Sequence, residues 1–256
     1  RRAEKEKIME LTILMPCLNE ARTLPGCISE ATGFLRLAGV DGEVLIADNG
    51  STDGSQALAR GMGARVVEVA ERGYGAALRG GIEAAAGEYV IMGDSDGSYD
   101  FFNLGAFLSL LRAGVELVVG DRYALPCEPG AAPWLNRWVG VPLLSWLGRT
   151  LGRCQVHDFH CGLRAVRRQA FLSLGARATG MEFASEMILL AAAANQTIAE
   201  TPVWLRRDGR GKRPHLRPVR DGLRHVKSIV KLRRSKGGQG RNALKGNFAK
   251  MKGETE

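Results

Sequence analysis

Two aspartates one residue apart, Asp94-Ser95-Asp96, directly follow the apolar run Tyr89 to Gly93. Read as a strand, that run presents both carboxylates at the end of a buried element. Such a pair can share one hard divalent cation, Mg2+ or Mn2+, which prefers oxygen ligands and fills its remaining sites with phosphate oxygens and water. Asp94, Asp96 and Asp100 can also simply cap turns. Asp48 ends another apolar run, where its carboxylate can accept hydrogen bonds from a nucleobase or ribose edge, or close an Asx turn in Asp48-Asn49-Gly50-Ser51. Pro16-Cys17-Leu18-Asn19-Glu20 leaves a third run into a helix start, whose free N–H groups favour an anion or a cap.

Chemistry at these three clusters requires elements that converge. Through the first half, short apolar runs alternate with helical patterns: strand Leu11 to Met15, helix Asn19 to Leu37, strand Glu43 to Ala47, helix Gly54 to Met62 begun by Ser51 and Asp53, and strand Arg65 to Val69. Helix Ala76 to Ala86, strand Tyr89 to Gly93, helix Phe102 to Ala113 and strand Leu117 to Gly120 continue the alternation. This is the signature of βαβ units and a largely parallel sheet. Ligands of such a sheet sit outside the carboxyl ends of the strands, so Pro16 to Glu20, Asp48 to Asp53 and Asp94 to Asp100 are expected to meet. The character then changes. Prolines and tryptophans mark a loop and a short apolar helix over 124–150, followed by helix Thr179 to Asn195, strand Thr197 to Leu205 and a basic amphipathic helix Pro218 to Leu232.

Of 256 residues, 45% are hydrophobic and 25% charged, which excludes a disordered or collagen-like chain. No apolar run reaches the roughly 18 residues of a membrane-spanning helix. Arg1 to Glu10 is charged, so a cytosolic location is expected. Five cysteines at irregular spacing, without a C-x-x-C pair, predict free thiols. The net charge of +9 is concentrated from Arg206 onward and should attract phosphates or anionic headgroups. A nucleic-acid-binding module would interleave aromatics with that charge, and after Trp204 only Phe248 does so; no nucleic-acid partner is expected. Gly73-Tyr74-Gly75 with Gly80 and Gly81 has the wrong spacing for a dinucleotide loop, and no G-x-x-x-x-G-K-[ST] occurs. His157-Asp158-Phe159-His160-Cys161 has no second ligand group in sequence, which favours a structural loop with Asp158 facing the site.

The motifs L-T-I-L-M-P-C-L-N-E, V-L-I-A-D-N-G-S-T-D-G-S, R-G-Y-G-A-A-L-R-G-G and G-E-Y-V-I-M-G-D-S-D-G-S-Y-D, followed by V-V-G-D-R-Y, D-F-H-C-G-L-R, G-M-E-F-A-S-E-M and D-G-R-G-K-R-P-H-L-R, cover about residues 11–225. As a set they resemble the inverting glycosyltransferases of family 2, with a GT-A fold, and especially those similar to dolichol-phosphate mannose synthase and bacterial polyprenyl-phosphate glycosyltransferases. The resemblance implies an α/β, Rossmann-like sheet flanked by helices. One domain is expected over 11–234, with a nucleotide-sugar half 11–122 and an acceptor half 123–234, after a charged extension 1–10, and the Gly, Lys and Asn content beyond Ser235 predicts a disordered basic tail 235–256. The resemblance implies a GDP- or UDP-sugar donor: Pro16, Asn19, Glu20 and Gly75 in the nucleotide pocket, Asp48 on the base, and Asp94, Ser95 and Asp96 at the diphosphate, with Asp94 and Asp96 on Mg2+ or Mn2+. Arg122 would face the reacting phosphates, and Asp158 and Arg164 would lie near the acceptor. Relatives often carry a glutamine ligand where this chain has Ser98.

Displacing a nucleoside diphosphate from a sugar builds negative charge on the leaving phosphate, which calls for a cation there. A hydroxyl acceptor needs a base, Glu182 first and Asp158 second. A lipid phosphate needs none, and Arg122, Arg164 and Arg210 then become its binding groups. The tryptophan segment 134–147 and the basic helix 218–234 together suggest peripheral contact with an anionic membrane, favouring a polyprenyl or dolichyl phosphate acceptor over a soluble or cell-envelope hydroxyl. A sugar-phosphate nucleotidyltransferase is the rival enzyme reading, although such enzymes usually open with a glycine-rich loop in place of Pro16 to Glu20.

Overall fold

The computed structural model describes residues 9–129, 131, 145, 149–150 and 154–210. Apart from Ser145, the segment expected at the membrane over 134–147 lies outside them, as do the basic helix 218–234, the tail 235–256 and residues 1–8. The architecture is a seven-stranded sheet in the order β3-β2-β1-β4-β6-β5-β7. β1 (Leu11–Cys17), β2 (Gly42–Asp48), β3 (Arg65–Glu68) and β4 (Tyr89–Met92) are parallel, as the alternating pattern requires. β5 (Leu117–Asp121) and β7 (Ile198–Pro202) form a second parallel pair. β6 (Arg164–Arg167) joins the two groups by running antiparallel to both β4 and β5. The sequence pattern does not disclose β6: its four residues R-A-V-R begin and end on arginine, and a strand that short has no legible period.

Leu11, Ile13, Leu14 and Met15 on β1 are fully buried, the burial on both faces that a central parallel strand undergoes. Each such side chain contributes roughly 1.5–3 kcal/mol relative to exposure. Thr12, the polar residue of that strand, is satisfied by donating to Glu43 Oε1 at 2.9 Å and accepting the Gly87 N–H at 2.9 Å. Helices α1 (Leu24–Leu37), α2 (Ser55–Gly61), α3 (Tyr74–Ala84), α4 (Gly105–Arg112), α5 (Arg168–Ser173) and α6 (Phe183–Ala193) flank the sheet. α1 begins five residues later than the expected Asn19, for two reasons. Asn19 has φ of 60°, a left-handed conformation incompatible with a helix, and Pro25 sits where a first turn tolerates proline. The early residues form a turn in which Leu24 N donates to Glu20 O.

Candidate active site

Strand β1 has β2 on one side and β4 on the other, a reversal of strand order that opens a crevice at the carboxyl ends. There a cleft of about 330 Å³ is lined by residues of all three expected clusters, Pro16, Cys17 and Glu20, then Asn49, then Asp94, Ser95 and Asp96. Arg72, Tyr74, Met181 and Arg210 also line it. Asn19 is not part of it. Its Oδ1 accepts the Thr52 N–H at 2.8 Å and its N–H donates to Ser51 Oγ at 2.9 Å, so it fastens the Ser51 loop to the end of β1.

Asp48 ends β2 beside Cys17 and is 1% exposed. Its Oδ1 accepts the N–H groups of Gly50 and Ser51 at 2.9 and 3.0 Å and the Gln56 amide at 2.6 Å. Burial opposes its ionisation, but the bonds from Ser51, Gln56 and Gly50 outweigh it and hold the carboxyl below the usual range. Oδ2 is buried without a partner among the described residues. An ionised carboxylate with one idle oxygen is suited to an N–H or O–H of a ligand. The adjoining Asn49 orders the next loop: its Nδ2 donates to Val69 O and Glu71 O, and its Oδ1 accepts the Gly73 N–H. Arg72 donates to Asn49 O. Asn49, Arg72 and Tyr74 escaped the sequence reading, although the R-G-Y-G motif contained two of them.

The acidic wall is finely positioned. Tyr74 donates its hydroxyl to Asp94 Oδ1 at 2.9 Å. Burial, then the neighbouring Asp96 charge, raises the Asp94 carboxyl to about 6, while the Tyr74 bond works the other way. Ser98 N and Oγ donate to Asp96 Oδ1 at 2.9 and 2.5 Å, so the residue standing in place of a glutamine orients Asp96. Ser95 donates to Pro16 O at 2.8 Å, joining the loop after β4 to β1. Glu20 is 6% exposed; burial raises it to about 7 even though Arg210 acts to lower it, and its Oε2 has no partner among the described residues. Arg210 pairs with Glu20, Asp96 and Asp208, which together offset burial and raise its guanidinium above the usual range.

Several expected residues stand apart from the cleft wall. Asp158 is fully buried and grips Arg122 with both oxygens: Arg122 Nε donates to Oδ2 at 2.6 Å and Nη2 to Oδ1 at 2.8 Å. Burial opposes ionisation of Asp158, but Arg122 holds it below the usual carboxylate range. A carboxylate so engaged is a poor base, and its role is to fix Arg122, whose charge acts to lower the Asp94 carboxyl. Arg164, read as an acceptor ligand, is instead 3% exposed and donates to the carbonyls of Cys161, Ala184 and Phe159, bracing the loop ahead of β6. Glu182 precedes α6 and accepts the Gly180 N–H at 3.2 Å; its neighbour Met181, not Glu182, lines the cleft. Gly75 is a packing position: a Cβ there would lie 2.5 Å from Ala178 O and 2.6 Å from Phe183 Cβ. His157 has the company that its sequence neighbourhood lacks, with Nδ1 3.2 Å from Glu200 Oε2 and 3.8 Å from Asp121 Oδ2, outside the cleft wall.

Fold and cleft define the class, a GT-A-type α/β domain with an acid-rich crevice at the carboxyl ends of its parallel strands. The chain belongs to the family described as Glycosyl transferase family 2, whose sequence model matches residues 12–175. The chain is 36% identical over 230 residues to the low-salt glycan biosynthesis hexosyltransferase Agl6 of Haloferax volcanii, covering 89% of the chain and 55% of that relative. It thus spans about half the length of that protein. It is 32% identical over 224 residues to the dolichyl-phosphate hexose transferase of the same organism, covering 87% and 93%. Among solved structures, glucosyl-3-phosphoglycerate synthase of Mycobacterium tuberculosis, in complex with Mn2+, UDP and glucosyl-3-phosphoglycerate, superposes with a TM-score of 0.65 at 25% identity, covering 88% of this chain and 80% of that one.

Proposed function

We propose that this domain transfers a hexose, with inversion, from a nucleoside diphosphate sugar to the phosphate of a polyprenyl or dolichyl lipid. The observation that carries the reading is the cleft itself: three acidic side chains, Glu20, Asp94 and Asp96, line it together with Arg72 and Arg210, and Arg210 pairs with Glu20 and Asp96. That surplus of carboxylates suits a divalent cation, Mg2+ or Mn2+, held by Asp94 and Asp96. Bound there, the cation would neutralise charge developing on the departing diphosphate. Asp48 would accept a hydrogen bond from the base or ribose. Pro16 and Cys17 would flank it, and Arg122, fixed by Asp158, would add positive charge on the reacting side.

A lipid phosphate acceptor fits because neither candidate base is poised. Asp158 is locked to Arg122, and Glu182 is turned to the Gly180 N–H. A phosphate oxygen is already an anionic nucleophile and needs no proton removed. The dolichyl-phosphate hexose transferase relative supports the same acceptor, and the UDP complex of the mycobacterial neighbour supports a UDP-linked donor ahead of a GDP-linked one. No helix among the described residues is long and apolar enough to cross a membrane; the net charge of +9 supports peripheral contact with anionic lipid. The test is transfer of radiolabelled hexose from UDP- and GDP-sugars into an organic-extractable lipid, with polyprenyl phosphate vesicles and Mn2+. Label transferred only to soluble acceptors would overturn the acceptor assignment, and release of pyrophosphate in place of nucleoside diphosphate would overturn the reaction class.

A further inference from the structure

Arg210 holds a position that its sequence motif does not explain. Its Nη1 lies 3.2 Å from Glu20 Oε1, and its Nη2 lies 3.1 Å from Asp96 Oδ2 and 2.6 Å from Asp208 Oδ2. Asp96 Oδ1 is already taken by both donors of Ser98. The segment carrying Arg210 is stitched to the same acidic loop: Gly209 N donates to Asp96 O at 2.8 Å and Arg206 N to Ser98 O at 2.9 Å. The Arg206 side chain adds ion pairs to Glu30 at 2.7 Å and Asp100 at 3.0 Å.

We infer that Arg210 is the resident counter-cation of the acidic wall, and that a divalent ion and Arg210 compete for Asp96. The inference rests on the metal reading above. Burying carboxylates this close together requires a compensating positive charge, and the guanidinium supplies it through its planar fork. A divalent ion at Asp96 would bring a second cation against Arg210, and like charges repel strongly in a partly desolvated cleft. Arg210 therefore leaves Asp96 when the ion enters, retaining Asp208, which accepts from both its Nε and its Nη2. The arginine so released is free to meet phosphate. Linkage makes the competition reciprocal: whatever holds Arg210 in place weakens ion binding.

Mn2+ binding to the full chain, read by electron paramagnetic resonance of free Mn2+ without any donor, tests this. Arg210→Met and Arg210→Gln are expected to bind Mn2+ at least ten-fold more tightly than wild type, whereas Asp96→Ala binds none. Unchanged or weaker affinity in the Arg210 variants, with wild type binding, overturns the inference and leaves the metal reading intact. Absence of Mn2+ binding in wild type and in both Arg210 variants, with and without UDP, overturns both. A wild-type measurement guards against a variant that misfolds. Phenylglyoxal modification of Arg210, mapped by mass spectrometry, should speed up on adding Mn2+ alone, and slower or unchanged modification rejects the competition.

Discussion

Burial lifts the Glu20 carboxyl from the usual glutamate range to about 7, and that shift makes the metal-free protein's stability depend on pH. A carboxyl raised in the folded state favours folding while protonated. Its contribution is complete below about 4.5 and disappears as pH climbs through about 7. Glu20→Gln mimics the protonated form. Chemical denaturation without metal should show wild type losing stability relative to Glu20→Gln between pH 5 and 8, by up to about 3 kcal/mol; a gap that closes with rising pH would refute the buried assignment. Asp96→Ala should reduce kcat/KM at least about 100-fold with the thermal transition preserved, measured as transfer with saturating donor and Mn2+. Asp158→Asn leaves Arg122 partly buried without its counter-charge, so it should both lower turnover and destabilise the fold by about 3–5 kcal/mol in urea titrations. At this scale the carboxylates were legible, because Asp48, Asp94 and Asp96 follow strands that announce themselves as apolar runs. Tyr74, Asn49 and the bracing role of Arg164 were not, since each depends on which distant group its side chain meets.

Among elements, the turn that opens α3 packs closely on the segment ahead of α6. Gly73 has φ of 132°, and a Cβ on it would come within 2.1 Å of Thr179 O. Ala76 N donates to Thr179 O at 3.1 Å, and Glu186 Oε2 accepts the N–H groups of Arg177 and Ala178, which fixes the approach of that segment. Gly75→Ala should therefore destabilise by about 1–3 kcal/mol through overpacking, without loss of intrinsic metal affinity; a neutral result in urea denaturation would show that the 178–180 segment yields. The helices and parallel strands could be read from periodicity because each is repeated against a common core. Their boundaries shifted wherever a single residue imposed its own conformation, as Asn19 does ahead of α1. β6 stayed hidden because its place is decided by pairing with β4 and β5, more than forty residues away in sequence on either account, and not by its own composition.

Taken whole, the molecule carries a charge of +9 while its described cleft is acid-rich, so its basic character resides elsewhere. Association with vesicles containing anionic lipid should be measurable by flotation at low salt and fall as ionic strength rises, the behaviour expected of surface electrostatics; salt-independent flotation or none would remove the peripheral-membrane proposal. The antiparallel β6 has an effect on how the molecule is made. The first four strands can assemble as soon as they leave the ribosome, yet the edge of β4 stays uncovered until residues 164–167 have been synthesised, and β5 has no route into the sheet before then. Nascent chains paused in that interval would expose an unpaired rim prone to self-association, and the arrival of R-A-V-R is what lets β5 join the sheet begun by the first four strands.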